Sequence, residues 1–364
     1  MKILQLSRLK FNLTPTQTAS RPRMIYDLSQ GLIVNGHEIT VLGTGDSHLP
    51  GGNIIGVIPK AFTQLPPFEN PIYAETSYLL QMVKKIEELA PQYDIIHNHT
   101  DPEFINLLAT NTIKTPMLTT LHAQATKEFD DALSLFPNAN FVSISQAHRK
   151  GFTKTAIKNI VYNGVDTGLY AYSEKKEDYM LWIGRLGKAK NDDGTFMDAK
   201  GVRSAIQLAE ATNRRLILSG NVEDKGFYEQ DIKPHLSNKI EWVGEVSSEQ
   251  PLPKEEVVKL MQKAKVFLMT INWNEPFGLV MAESMSCGTP VIGFDRGAVS
   301  EVISDGKTGF VVDPNHGIDG LMTALDKIDA IDSKVCRMHV EKNFSIDSMV
   351  TNYESVYKKI LQQQ

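Results

Sequence analysis

Residues 274–293 constrain the fold more than any other part of the chain. The mostly apolar residues 266–270 predict a buried strand. A helix is predicted over residues 276–287, because Pro276 is well tolerated as a first helical residue. Gly288-Thr-Pro ends this helix, and Val291 begins the next strand. A strand–helix–strand unit places a helix N-terminus at the carboxyl end of a parallel sheet. That position is an anion-binding site.

Two carboxylates, Glu275 and Glu283, flank this anion site eight positions apart. On one helix, a rise of about 1.5 Å per residue separates them by roughly 12 Å, comparable to a diphosphate with a sugar on either side. Backbone N–H groups near Phe277, Gly278 and Leu279 would then hold the phosphates, Glu275 would bind one sugar and Glu283 a ribose. The alternative is that both carboxylates only complement the helix dipole.

The segment Glu275-Pro-Phe-Gly-Leu-Val-Met-Ala-Glu283 resembles the E-x7-E signature of retaining family-four glycosyltransferases of the GT-B fold. Shorter matches follow the order of the family along most of the chain. They are Gly36-His-Glu-Ile-Thr-Val41, Thr119-Thr-Leu-His122, Tyr162-Asn-Gly-Val-Asp166, Ile183-Gly-Arg-Leu186, Gly288-Thr-Pro-Val-Ile292 and Asp305-Gly-Lys-Thr-Gly-Phe-Val-Val312. The E-x7-E block is specific, whereas the other matches are individually weak. The resemblance implies an α/β protein with two doubly wound Rossmann-like domains facing a central cleft.

Strand and helix patterns alternate along the chain, which favours parallel sheets covered by helices. With 364 residues, the chain suits two domains. Strands are predicted at residues 2–6, 38–42, 53–59, 93–97, 117–121, 140–144, 179–184, 215–218, 240–243 and 266–270, and helices at residues 23–34, 76–88, 202–210, 276–287 and 346–361.

The polar segment 173–178 is predicted to link the two domains. We expect an N-terminal Rossmann-like domain on the acceptor side over residues 1–168. A C-terminal domain on the nucleotide-sugar side is expected over residues 169–345. The resemblance implies that residues 346–364 form a helix that crosses back to the first domain.

Basic residues that could bind a diphosphate follow the strand predicted at residues 179–184. Arg185 would emerge at the carboxyl end of that strand, and its planar set of donors suits a leaving diphosphate. The resemblance implies a nearby lysine followed by glycine, but here residues 187–199 resemble an inserted loop. Lys190 lies close to the family spacing, whereas Lys200 precedes Gly201 and a helix. We favour Lys200 as the diphosphate ligand, because its position at the start of a helix fixes the direction of its side chain. The alternative is that either lysine is only a solvated charge on the surface.

His122 ends a predicted strand and resembles the histidine with which the family contacts the transferred sugar. The alternative is a hydrogen-bonded structural histidine. His97 and His99 alternate along a strand, so their side chains are expected on one face. With Asp101 they superficially resemble metal ligands, but no further His or Cys has zinc-site spacing and the resemblance implies no metal there. We therefore predict no metal and no cofactor, the sugar nucleotide being a substrate.

Two loops are further candidates for substrate contact. The residues Thr16, Gln17 and Thr18 lie in a first loop that lacks the paired glycines of many relatives. Their side chains are candidates for hydrogen bonds to either donor or acceptor. Gly244 and Val246 follow a predicted strand and resemble the segment whose backbone reads the nucleotide base. Backbone contacts leave the identity of that base open.

Composition narrows the class of protein. A net charge of −5 argues against a nucleic-acid binder held by phosphate contacts. The two cysteines lack metal-site spacing and fit a reducing compartment. No apolar run reaches the length of a membrane span. We therefore expect a cytoplasmic location.

The predicted function is retaining, metal-independent transfer of a hexose from a nucleoside-diphosphate sugar to an acceptor hydroxyl. Arg185, Lys200, Glu275 and His122 are the predicted catalytic residues. The segment Trp273-Asn-Glu-Pro-Phe-Gly278 resembles the corresponding segment of glucosyltransferases. UDP-glucose is therefore the favoured donor. The acceptor stays open among small molecules, glycans and lipid-linked sugars. Two alternatives remain: a nucleotide-sugar epimerase of the same fold, and a sugar-binding protein without catalysis.

Overall fold

The computed structural model of the protein describes residues 1–17, 19–250 and 252–363. The chain divides into two compact units, Met1–Gly164 with Ile346–Gln364 and Val165–Ser345. Within the described residues, each unit is built on a parallel sheet flanked by helices. The prediction of a two-domain α/β protein is therefore confirmed.

The first unit contains a seven-stranded sheet in the order β3-β2-β1-β4-β5-β6-β7. All its strand pairs are parallel, as expected where helices make the crossover connections. The strands are β1 (Lys2–Leu6), β2 (Glu38–Thr44), β3 (Asn53–Ile58), β4 (Ile95–Asn98), β5 (Met117–Leu121), β6 (Asn140–Ser143) and β7 (Asn159–Ile160). The helices are α1 (Ser20–Val34), α2 (Pro71–Leu89), α3 (Glu103–Asn106), α4 (Lys127–Leu133) and α5 (Gln146–Lys150), with 3₁₀ turns at Phe62–Gln64, Ala90–Gln92 and Leu107–Asn111.

The C-terminal helix, Ile346–Leu361, completes the core of the first unit. Its buried residues recur every three or four positions, which gives the helix one apolar face. They are Met349, Val350, Tyr353, Val356, Tyr357 and Ile360. This face packs in one apolar cluster with Ile3 of β1 and Met24 of α1. The last segment of the chain is thus an integral part of the unit with which the chain begins.

The second unit contains a six-stranded sheet in the order β10-β9-β8-β11-β12-β13. The strands are β8 (Met180–Leu186), β9 (Leu216–Val222), β10 (Ile240–Val243), β11 (Val266–Met269), β12 (Val291–Phe294) and β13 (Gly309–Val312). The helices are α6 (Val202–Thr212), α7 (Lys225–Asp231), α8 (Lys254–Lys263), α9 (Leu279–Ser286), α10 (Val299–Val302), α11 (Gly317–Asp326) and α12 (Ser333–Asn343), with 3₁₀ turns at Lys233–His235, Pro314–His316 and Ile328–Ala330. The chain reverses its direction of sheet growth between β8 and β11, which places the following loops where ligands bind in such sheets.

Most strands of the two sheets read as apolar runs rather than alternating patterns, because helices cover both faces. β4, β5, β11 and β12 are buried along their whole length. Among the described residues, no helix combines the length and the apolar character needed to cross a membrane.

Candidate functional site

The loop between β11 and α9 corrects the predicted start of the helix. Pro276 is not the first helical residue, since α9 begins at Leu279. The backbone of Glu275 instead forms a parallel bridge with Gly297. Gly278 then adopts a left-handed conformation with φ +82°, which interrupts any helix entering from Pro276. The prediction failed because the pairing with Gly297 is a contact distant in sequence.

The late helix start changes the geometry of the two carboxylates. Glu275 and Glu283 do not lie on one helix, so the separation of roughly 12 Å calculated from helical rise does not apply. Gly278 and Leu279 still stand at the helix start, where the first N–H groups have no carbonyl partner within the helix. The Phe277 ring is buried and packs edge-on against Phe344, 5.7 Å between centroids. It therefore anchors this turn.

Lys200 and Glu275 form the central pair of the site. The Lys200 ammonium lies 2.7 Å from Glu275 Oε2, and it also lies 4.6 Å from the centroid of the Trp273 ring. Both side chains are largely buried, with 27% of the lysine and 12% of the glutamate exposed. Partial burial strengthens a hydrogen-bonded ion pair relative to one at the surface. A cation suited to phosphate and a carboxylate suited to sugar hydroxyls therefore stand side by side.

The backbone around Lys200 is held by polar contacts at the start of α6. Both carboxylate oxygens of Asp198 accept hydrogen bonds of 2.9 Å from N–H groups in the first turn of that helix. Thr270 Oγ1 donates to the Gly201 carbonyl at 2.7 Å, and Asn272 Nδ2 donates to the Asp198 carbonyl at 2.8 Å. These bonds tie the residues on either side of Lys200 to the loop that follows β11.

Gly201 provides a stability test of this arrangement. Its φ is +72°, and a Cβ atom there would lie 1.6 Å from the Thr270 carbonyl oxygen. We expect Gly201→Ala to lower the free energy of unfolding by about 4 kcal/mol or more, because backbone must move. Gly306→Ala is the matched control, since Gly306 has φ +70° but nothing within 4 Å; it should cost only about 1 kcal/mol. Equal midpoints for the two variants in urea denaturation would contradict this account.

Lys190 lies in a different environment from Lys200. Residues 187–199 form a short hairpin, in which Lys190 and Phe196 pair in antiparallel fashion. The Lys190 ammonium lies 4.4 Å from the centroid of the buried Phe196 ring, and Lys190 itself is exposed. Of these two lysines, the structure brings only Lys200 to Glu275.

Arg185 lies near the end of β8 with an exposed side chain. One guanidinium nitrogen lies 3.3 Å from Glu223 Oε1. Among the described residues, Arg185 forms no hydrogen bond or ion pair with Glu275, the partner of Lys200. It therefore stays a predicted diphosphate ligand that the structure places at the carboxyl end of the sheet.

Glu283 has a partner that sequence reasoning missed. The Tyr170 hydroxyl donates to Glu283 Oε1 at 2.7 Å, and Tyr170 is 4% exposed. Asp166 shapes the turn that leads to this tyrosine, because its side chain accepts from the N–H groups of Gly168 and Leu169. An aspartate before a Thr-Gly pair is a turn signal. The turn was thus readable from the sequence, but its approach to Glu283 was not.

Gly244 and Val246 follow β10, as predicted. Gly244 is exposed with φ +99°, whereas Val246 is partly buried against the core of the second unit. The Ser219 hydroxyl donates to the carbonyl of Val243, the last residue of β10, at 2.8 Å. These contacts hold the segment at the end of the strand and leave its role in base recognition a prediction.

The histidines of the first unit converge, as the strand alternation predicts. The centroids of the His97 and His99 rings lie 3.8 Å apart. His99 Nδ1 lies 3.0 Å from Nε2 of the half-buried His122. His97 instead bonds Thr120 Oγ1 at 2.8 Å. Within the described ranges, no group of three or more His, Cys, Asp or Glu side chains could hold a metal ion.

Charged groups flank the histidine pair. Burial raises the pKa of the Glu103 carboxyl group to about 7. Arg21 lies 3.7 Å from Glu103 and 3.5 Å from Asp101. Burial, with the charge of Arg21, lowers the pKa of His99 to about 3. Burial also lowers the pKa of His122 well below its ordinary value. The imidazole rings of His99 and His122 are therefore neutral near pH 7.

The first loop gives a mixed result. Gln17 folds back on its own loop, because its amide nitrogen donates to the Asn12 carbonyl at 2.9 Å and its oxygen accepts from the Ala19 N–H at 3.0 Å. Thr16 is exposed. Thr18 lies outside the described residues. The predicted substrate contacts of this loop stay predictions.

Comparisons with known proteins cover both units. The family model for Glycosyltransferase Family 4 matches residues 22–169, and that for Glycosyl transferases group 1 matches residues 172–339. An uncharacterised glycosyltransferase of Methanocaldococcus jannaschii is 23% identical over 376 residues, covering 91% of this chain and 92% of that protein.

Two solved structures share the fold. Sucrose-phosphate synthase from Thermosynechococcus elongatus matches with a TM-score of 0.77 and 17% identity, covering 100% of both chains. The Anabaena protein HepE in complex with UDP-glucose matches with a TM-score of 0.70 and 17% identity, covering 98% of this chain and 100% of that one.

Proposed function

Since the chain belongs to the family-four glycosyltransferases of the GT-B fold, we propose that it transfers a hexose from a nucleoside-diphosphate sugar to an acceptor hydroxyl with retention of configuration. The observation that carries the proposal is the pairing of Lys200 with Glu275 beside the start of α9. A phosphate-binding cation, a sugar-binding carboxylate and a helix N-terminus are together what binding of a sugar diphosphate requires.

Charge stabilisation is the main catalytic effect in this proposal. Negative charge develops on the diphosphate as the bond to the sugar breaks. Lys200 and Arg185 supply positive charge to it, and the N–H groups at the start of α9 add fixed donors. We propose that these groups do without a metal ion. Membership of the family supports the retention that we propose, in which the leaving phosphate takes the proton of the acceptor on the same face.

Glu275 holds the donor sugar in this proposal. Its carboxylate would accept hydrogen bonds from hydroxyl groups and orient the reacting carbon, while Lys200 faces the neighbouring phosphate. UDP-glucose is the favoured donor, because the resemblance of residues 273–278 to glucosyltransferases points to glucose and the fold neighbour HepE has been solved with UDP-glucose. The two buried free cysteines, Cys287 and Cys336, support a reducing compartment such as the cytoplasm.

A donor panel tests the proposed function directly. The full chain is incubated with UDP-glucose, UDP-galactose and GDP-mannose, and thermal unfolding and product formation are both followed. A donor at 100 times its dissociation constant should stabilise the fold by about 2.7 kcal/mol. Release of nucleoside diphosphate with transfer or slow hydrolysis supports the proposal. Interconversion of UDP-glucose and UDP-galactose would indicate an epimerase, and stabilisation without any product would indicate a binding protein.

Glu283 is proposed to bind the ribose of the donor. Glu283→Gln should weaken UDP binding about tenfold or more, because hydrogen bonds to charged groups contribute roughly 1.5–3 kcal/mol. The rate at saturating donor should fall much less, since a ribose contact is the same in the ground state and the transition state. Isothermal titration with UDP measures the first effect. Glu255→Gln, an exposed residue of α8, is the control, and equal affinities of the two variants would reduce Glu283 to a structural partner of Tyr170.

A further inference from the structure

Two side chains, Gln5 and His99, link the first strand of the chain to His122. Gln5 lies on β1, and its side-chain oxygen lies 3.0 Å from His99 Nε2. His99 Nδ1 in turn lies 3.0 Å from His122 Nε2. Gln5 and His99 are completely buried, so water does not replace either bond. Because a neutral imidazole carries one N–H, the direction of the first bond determines the direction of the second.

The positions of the protons follow from these groups. A carbonyl oxygen only accepts, so His99 donates from Nε2 to Gln5. His99 is neutral near pH 7 because burial lowers its pKa to about 3, and its Nδ1 is therefore an acceptor. His122 must then donate from Nε2. Since burial also keeps His122 neutral, the lone pair of that ring is on Nδ1.

A second branch of hydrogen bonds runs beside this one. The Tyr357 hydroxyl of the C-terminal helix lies 2.6 Å from His97 Nδ1. Gln5 Nε2 is buried and has no hydrogen-bond partner among the described residues. The Gln5 side chain is therefore held through its oxygen, by His99.

His122 Nδ1 is the ring nitrogen left for a ligand. Among the residues that the structure describes, it forms no hydrogen bond. The ring is thus held at Nε2 by His99, while Nδ1 is presented as an acceptor.

We propose that Gln5 and His99 are positioning residues for sugar transfer, which hold His122 in its Nε2-protonated form so that Nδ1 accepts a hydrogen bond from a hydroxyl of a bound substrate. This inference rests on the proposed function. It adds a specificity rule, because the group that meets Nδ1 must be a donor. A sugar carrying fluorine in place of that hydroxyl cannot donate and should be a poor substrate.

Nitrogen NMR of the histidine rings tests the tautomer without needing activity. The full chain is labelled with ¹⁵N-histidine, and His122 is assigned by comparison with His122→Asn. Two-bond and three-bond ¹H–¹⁵N correlations at pH 7 should show a protonated Nε2 and an unprotonated Nδ1 for His122. A protonated Nδ1 in the wild-type chain would overturn the proposal, since it would make His122 a donor through a reversed Gln5 amide.

Three variants connect the tautomer to catalysis. Gln5→Leu removes the acceptor, so His122 should populate both tautomers and kcat should fall about tenfold with less than a threefold change in KM for the donor. Gln5→Glu keeps an oxygen beside His99 Nε2, and it should retain both the tautomer and most of the activity. Tyr353→Phe is the control for lost buried bonds, because its hydroxyl bonds Thr120 at 3.0 Å in the other branch; it should leave the His122 spectrum unchanged.

The outcomes separate this inference from the proposed function. A rate loss in Gln5→Leu that Gln5→Glu restores, together with the change in tautomer, supports the inference. Wild-type kcat in Gln5→Leu, or equal losses in all three variants with an unchanged His122 spectrum, would overturn the inference and leave the proposed function standing. A wild-type chain that consumes no nucleotide sugar would overturn both.

Discussion

Lys200→Ala is expected to slow sugar transfer about 100- to 1,000-fold at saturating donor, the range found when one preorganised donor to a developing negative charge is removed. The ammonium stands 2.7 Å from Glu275, and its backbone is tied on both sides to the loop after β11. Alanine would remove the charge without disturbing those main-chain bonds. Steady-state kinetics with UDP-glucose measure the loss, and thermal unfolding verifies that the fold is retained.

Lys190→Ala is the matched control for this prediction. Lys190 lies in the hairpin of residues 187–199, where its ammonium contacts only the Phe196 ring among the interactions described for it. Most exposed lysines contribute little, so its rate should stay within about twofold of wild type. A dead Lys190→Ala beside an active Lys200→Ala would show that the hairpin, and not the start of α6, carries the diphosphate ligand.

Glu275→Ala is expected to lower kcat at least about 100-fold, because the donor sugar loses the carboxylate that orients it, and small misplacements of the reacting carbon are costly. The fold should persist, since the loop is held by backbone contacts: the bridge to Gly297 and the 2.9 Å bond from the Ala298 N–H to the Glu275 carbonyl. Kinetics and thermal unfolding of the same preparation distinguish the two effects.

Glu241→Ala provides an ion-pair control for Glu275→Ala. Glu241 lies on β10 and pairs with Arg215 at 2.9 Å, with both side chains substantially exposed. Exposed pairs typically contribute roughly 0–1 kcal/mol, so neither rate nor stability should change appreciably. Full activity of Glu275→Ala at saturating donor would remove Glu275 from the proposed sugar site.

Local patterns predicted the elements well where a strand is buried on both faces. The strands at Lys2–Leu6 and Met117–Leu121 have the predicted bounds, because short, mostly apolar runs between turn residues have few other solutions. The final helix, Ile346–Leu361, also has its predicted bounds. Its apolar positions follow the helical period over more than four turns, so neighbouring residues alone determine it.

Contacts distant in sequence set the features that the sequence did not reveal. The start of α9 depends on the bridge of Glu275 with Gly297, and the partner of Glu283 is Tyr170, 113 positions away. The inserted segment 187–199 was expected as a loop, but it forms a hairpin around the buried Phe196. A single phenylalanine in a polar stretch gives no periodic signal, so this hairpin was not predictable from pattern.

The candidate site was predicted in part. The choice of Lys200 over Lys190 rested on the helix start, and the structure places Lys200 against Glu275. The Glu275 and Glu283 carboxylates were found from their spacing, although the helical geometry assumed for them was wrong. Gln5 was not singled out at all. A glutamine in an apolar strand is an unusual choice, and that was the only signal available for it.

The two-piece construction of the first unit has a consequence for synthesis. Residues 1–164 leave the ribosome first, but the C-terminal helix follows the whole of the second unit. At about 5–20 residues per second, the helix arrives roughly 10–40 s after Gly164. Until then α1 lacks its apolar cover, and His97 and Thr120 lack the tyrosine hydroxyls that bond them. The unit that is begun first is therefore finished last, and a nascent chain must protect that open face while the second unit folds.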